Sequence, residues 1–197
     1  VNVNDVVLFN NPTEMEKPLD KRGLLVSRCV ALPGDTIEMK QGEFYVNGKI
    51  YIGSPNQMGE YTLGLVHKNI VTEMLPTLGI PHRNLRKSGD SLSITLSRYE
   101  VFILNESLPD SLRMNQKRSN IQDYKLIVPF KGRIIELDEH NVTVYNQIVR
   151  QEQNGRKVTV EYGYLLIDDT PQKEYTFSDD YYWVLSDNSE NSSDSHS

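Results

Sequence analysis

The chain has 197 residues, a formal net charge of −6, 38% hydrophobic and 24% charged residues. That balance describes a globular chain with enough length for a core of its own, and it excludes a disordered polymer. Its acidity argues against a nucleic-acid backbone as partner, and its single cysteine, Cys29, rules out an intramolecular disulfide.

Taken in order, the chain begins at Val1 inside an apparent strand, Asn4 to Phe9, and has no initiator Met. A trimmed or processed fragment is the expectation, with a membrane anchor upstream of Val1. No apolar run in this sequence approaches the ~20 residues that span a bilayer, and none reads as a signal-peptide h-region. The run around Val26, Cys29, Val30 and Leu32 reads as a buried strand, with Cys29 as a small hydrophobe. It ends in the rigid turn Leu32-Pro33-Gly34-Asp35.

Phe44-Tyr45-Val46 and Lys49-Ile50-Tyr51 flank Asn47-Gly48, which predicts a hairpin with a primed turn. Asn154-Gly155 predicts another, between Ile148-Val149 and Val158 to Val160. Tyr162 to Ile167 continues as a further strand. Gly34, Gly89 and Gly132 are each followed by aliphatic residues or Met at +3, +5 and +12. The sets are Ile37, Met39, Val46; Leu92, Ile94, Val101; and Ile135, Leu137, Val144. Offsets of two share a strand face, so three similar β units are expected.

One helix is predicted over Leu65 to Leu75, halted by Pro76. Residues 105–124 are polar and read as a solvated loop or short helix. Tyr181 to Leu185 is a strong strand. It runs into the Ser, Asp and Asn stretch Asp187 to Ser197, read as an acidic tail or a structured loop.

Three segments resemble conserved boxes of signal peptidase I, a Ser/Lys-dyad family. Asn4-Asp5-Val6-Val7-Leu8-Phe9 is similar to its Gly-Asp-Val-Val strand. Ser27-Arg28-Cys29-Val30-Ala31-Leu32-Pro33-Gly34-Asp35 is similar to Lys-Arg-x-hydrophobic-Gly-Leu-Pro-Gly-Asp. Ser186 to His196 is similar to Gly-Asp-Asn-Arg-x-x-Ser-x-Asp-Ser-Arg. The resemblance implies a mainly antiparallel β fold. A discontinuous catalytic-type core, 1–41 plus 174–197, would carry an inserted β-rich domain at 42–173.

It also implies cleavage of preprotein signal peptides on the outer, periplasmic face of the bacterial cytoplasmic membrane, without cofactor or metal. A serine hydroxyl would be the nucleophile and a buried lysine the base. A lysine with pKa near ~10.4 serves as base only when burial lowers that value. Here the base position holds Ser27, and burial cannot make a hydroxyl a useful base. Lys21 lies six residues earlier, on another stretch.

The family's Ser-Met-x-Pro-Thr-Leu nucleophile box does not occur in this sequence. Glu73-Met74-Leu75-Pro76-Thr77-Leu78 imitates it in the wrong place, with Glu for Ser. Ser192 and Asp194 match positions that support the base, while Ser186, Ser189 and His196 replace a Gly and two Arg. His196 would pair with Asp194 only when protonated. Arg28 and Asp187 match a structural ion pair, and Val26 would line the groove that takes an extended peptide by strand addition.

No intact catalytic set is therefore expected. His67, His82 and His140 have no metal spacing, and Asp187 to Asp194 lacks the glycine and terminal glutamate of a calcium loop. Three readings remain open. One is a non-catalytic relative that binds extended peptides. Another is an active peptidase seen as a fragment, and the last is an unrelated acidic β domain.

Overall fold

The computed structural model describes residues 1–14, 16–81, 85–116, 122–139 and 141–188. Its strands and helices, in chain order, begin with β1 (Val6–Asn10), β2 (Leu24–Ala31), β3 (Thr36–Lys40), β4 (Glu43–Val46) and β5 (Lys49–Ile50). Then come β6 (Met58–Gly64), α1 (Lys68–Thr77), β7 (Arg86–Ser88), β8 (Ser91–Ser97), α2 (Arg98–Ser107) and β9 (Asn115–Gln116). The remainder is β10 (Tyr124–Ile127), β11 (Ile134–Glu136), α3 (Asn141–Glu152), β12 (Val158–Glu161), β13 (Tyr164–Ile167), β14 (Thr170–Pro171), β15 (Glu174–Thr176) and β16 (Trp183–Leu185). The fold is mainly β, and every strand pairing is antiparallel.

The sheets are β1-β2-β16, β10-β3-β4-β5, β11-β15 and β12-β13-β14, with a separate sheet β7-β8-β6-β9. That last sheet is built from a continuous β-α-β-β-α-β run, with the order and pairing of a split β-α-β unit. Both helices share its core. Val71 and Leu75 of α1 and Val101 and Leu104 of α2 pack with Leu63, Leu92, Ile94 and Leu96 of the strands. A second core draws on Ala31, Ile37, Val128, Leu165 and Phe177, covered by Val142, Tyr145 and Val149 of α3.

The Asn47-Gly48 hairpin forms as expected. Both residues have positive φ, 52° and 75°, which a primed turn requires. Gly34, Gly89 and Gly132 all adopt positive φ and open β3, β8 and β11, so the first half of the repeat is real. The +12 positions then diverge: Val46 lies in β4, Val101 in α2 and Val144 in α3.

Asn154-Gly155 does not close a hairpin, because Ile148 and Val149 lie in α3 and the pair follows that helix. The turn that closes β12 on β13 is Tyr162-Gly163, with φ of 52° and 80°. The β-branched residues of α3 mimic a strand. Its buried set, Val142, Tyr145 and Val149, has helical spacing. Reciprocal bonds brace its start: Asn141 N donates to Asp138 Oδ1 at 2.8 Å, and Asp138 N to Asn141 Oδ1 at 2.9 Å.

Helix α2 overlaps the start of the expected loop. Ser97 and Glu100 form its capping box, Glu100 N donating to Ser97 Oγ and Ser97 N to Glu100 Oε2. The predicted helix near Leu65 forms as α1 after a short 3-10 turn, Leu65–His67. Pro76 sits inside its last turn and does not end it. Gly79, at φ 69°, ends it: Gly79 N donates to Pro76 O and Ile80 N to Leu75 O. That is a Schellman motif, and its Ile80 and Leu75 are buried in the same core.

Candidate functional site

The middle strand β2 carries the residues singled out by sequence. Side chains alternate across it, so neighbours meet opposite surroundings. Ser27 faces Val7 across the ladder and is 4% exposed. Val26 faces Leu8 on the other side, and the two are 59% and 64% exposed. Val6 and Leu24 share that outer face and are exposed with them. Arg28 follows on the same face, between Val6 of β1 and Leu185 of β16.

Asp187 lies two residues beyond β16 and meets Arg28 side on. Arg28 Nε donates to Asp187 Oδ1 at 3.0 Å and Nη2 to Oδ2 at 2.5 Å, a bidentate pair. The remaining nitrogen, Nη1, donates to the Asn4 carbonyl at 2.8 Å. The hydrogen bonds that Arg28 donates to the Asp187 carboxylate hold its guanidinium above the ordinary range. Beside the pair, burial pushes the half-buried Tyr51 phenol up while the Arg28 charge pulls it down.

The strand leaves through the Leu32 to Asp35 turn, where Asp35 is a hub. Leu32 N donates to Asp35 Oδ2 at 2.7 Å and Asn47 Nδ2 to Asp35 Oδ1 at 2.8 Å. Gly34, at φ 90°, donates its N–H to the Val128 carbonyl at 2.9 Å. A β-carbon there would be strained by the dihedral and would meet the Phe130 ring at 3.6 Å. Cys29 is fully buried, as expected, and burial pushes its thiol up.

Among the described residues no lysine reaches this strand's buried face. Every lysine among the described residues is exposed, and Lys21 pairs with Asp20 at 3.8 Å. Glu73 is exposed on α1, within the unit formed by β6 to β9. Ser189, Ser192, Asp194, His196, His82 and His140 lie outside the described residues. Among the described residues no cluster of His, Cys, Asp and Glu could hold a metal ion. No described helix is long and apolar enough to cross a membrane.

One polar cluster was not anticipated. The Glu152 carboxylate, at the end of α3, accepts the Tyr175 hydroxyl at 2.8 Å and the Tyr181 hydroxyl at 2.9 Å. It also accepts the Ser178 N–H at 3.0 Å and the Asp179 N–H at 3.3 Å. Burial and the neighbouring carboxylate push Tyr175 up to about 12, and Tyr181 is raised as well. The cluster fixes the segment that leads into β16.

The model of the family "Signal peptidase, peptidase S26" matches residues 1–112, more than half of the chain. A curated relative, "Probable signal peptidase I-2" of Synechocystis, is 38% identical over 55 residues. That match covers 26% of this chain and 25% of the relative's length. No solved structure matches. The chain belongs to the signal peptidase S26 family, which removes the reading as an unrelated acidic domain.

Proposed function

We propose that this signal peptidase relative binds the extended segment of preprotein signal peptides without cutting it. The supporting observation is the residue at the base position. Ser27 is buried at 4% exposure, where the family's mechanism needs a buried amine. The exposure of every described lysine supports the same reading. An exposed ammonium keeps its proton at neutral pH, and general-base transfer is worth roughly 10²–10⁴ in rate.

Peptide binding draws on the β1–β2 face. Its apolar side chains Leu8 and Val26 stand exposed, and among the described residues β1 pairs on only one side, an edge suited to strand addition. In this reading the partner is a preprotein on the outer face of the cytoplasmic membrane, and an upstream segment holds the domain there. Ser192 and Asp194 then have no base to support, because Ser27 stands where that amine would be.

The full-length protein, incubated with a preprotein, tests this. Labelled signal peptide is expected to bind, and binding is expected to weaken in Val26→Asp. No mature product is expected. Mature product formed at a rate well above the uncatalysed background would overturn the reading in favour of an active peptidase. Absence of peptide binding would overturn it in favour of a scaffold role.

A further inference from the structure

The two hydrophobic cores share no residue, and one lies wholly between Tyr61 and Met114. The split β-α-β unit, residues 58–116, is therefore held to the rest of the fold by something other than a common core. The incoming connection, residues 51–57, has no regular secondary structure. Where it enters β6, Met58 N donates to the Asp187 carbonyl at 2.6 Å. The side chain of the same residue is gripped by Arg28 of β2 through two bonds. Arg28 in turn holds the Asn4 carbonyl.

The contact has support on both flanks. Met58 pairs with Ser97, the residue that caps α2. Tyr51, at the head of the connection, packs edge-on against Phe44 and feels the charges of Arg28, Asp187 and Arg98. Ser186 Oγ accepts the Asn188 N–H at 3.1 Å, which braces the chain around Asp187.

We propose that Asp187 is a latch between the two cores: its carboxylate fixes it to β2, and its carbonyl fixes the first strand of the split β-α-β unit. The position of Asp187 is thereby coupled to the orientation of that unit. Asp187 is a positioning residue in this role. The latch acts whether or not the protein binds peptides.

Full-length Asp187→Asn and Arg28→Gln test it by limited proteolysis and hydrogen exchange. Asp187→Asn keeps the carbonyl and the shape but loses the charge-assisted pair. Cleavage within Gly53 to Gln57 is expected to accelerate by roughly tenfold, the equivalent of one such interaction. The Met58 amide is expected to exchange faster, while amides of β8 and β13 keep their protection. Linker cleavage within about twofold of wild type in both variants would overturn the proposal. So would parallel loss of protection in β8, which would mean general loosening. The wild type gives a reading that needs no variant: a Met58 amide without protection also overturns it.

Discussion

Ser27 and Arg28 are neighbours on β2 and meet opposite surroundings: Ser27 is buried facing Val7, and Arg28 reaches across to a bidentate pair with Asp187. The strand holds Arg28 in an ion pair and has a small hydroxyl at the position that the family resemblance assigns to the amine. Side-chain alternation makes these two outcomes independent, because each residue answers to a different side of the sheet.

Installing the amine tests how far the site still suits it. Ser27→Lys lengthens the side chain by three heavy atoms and brings a charge into a closed position. It is expected to destabilise the fold by about 1–3 kcal/mol at neutral pH, from overpacking and desolvation. The folded state would bind the lysine proton less tightly than the unfolded state, so the penalty is expected to shrink as pH rises. Urea unfolding at pH 7 and pH 9.5 measures this. A variant as stable as wild type at both would show that the pocket was never closed.

The Glu152 cluster carries a separate expectation. Glu152→Ala leaves the Tyr175 and Tyr181 hydroxyls and the Ser178 and Asp179 N–H groups without their acceptor. A loss of roughly 2–3 kcal/mol is expected, since bonds to a charged acceptor are the stronger kind. Glu152→Gln is expected to recover part of it. Denaturant midpoints of the two variants, compared with wild type, decide the matter.

Tyr175 gives the stability a pH dependence at the alkaline end. Its phenol stands at about 12 in the fold against 10 as its ordinary value. Between those values the folded chain holds more protons than the unfolded chain, so stability is present below pH 10 and falls as pH rises towards 12. Tyr181, raised in the same direction, steepens the fall. Tyr175→Phe is expected to lose about 1 kcal/mol at neutral pH and to show a shallower alkaline decline. Denaturant titrations from pH 8 to 11 check both.

Cys29 is expected to resist a thiol reagent in the native state. Its sulfur is fully buried in β2, and burial holds it in the thiol form. Reaction with a disulfide reagent is expected to follow global opening and to become fast only in denaturant. Rapid native labelling would contradict the packing of the central strand.

Local chemistry was legible wherever one residue's backbone preference decides the outcome. Asn47-Gly48 makes its hairpin and Gly89 and Gly132 open their strands because positive φ favours those residues. The same rule misled at Asn154-Gly155, where a positive-φ glycine follows a helix instead of closing a hairpin. The Ser97-x-x-Glu100 box was a readable signal for α2. The spacing of Val142, Tyr145 and Val149 was one for α3, although β-branched content obscured it.

By itself the sequence determined the mainly β character, the turn at Leu32 to Asp35, the buried thiol and the family boxes, all of which depend on residues close in the chain. The tertiary structure alone decided the strand order β7-β8-β6-β9, the two separate cores and the Glu152 cluster. Those depend on pairings between segments distant along the chain, such as Glu152 with Tyr181 or Met58 with Asp187. Such pairings are chosen by which buried faces fit together, and no short window of sequence contains that information.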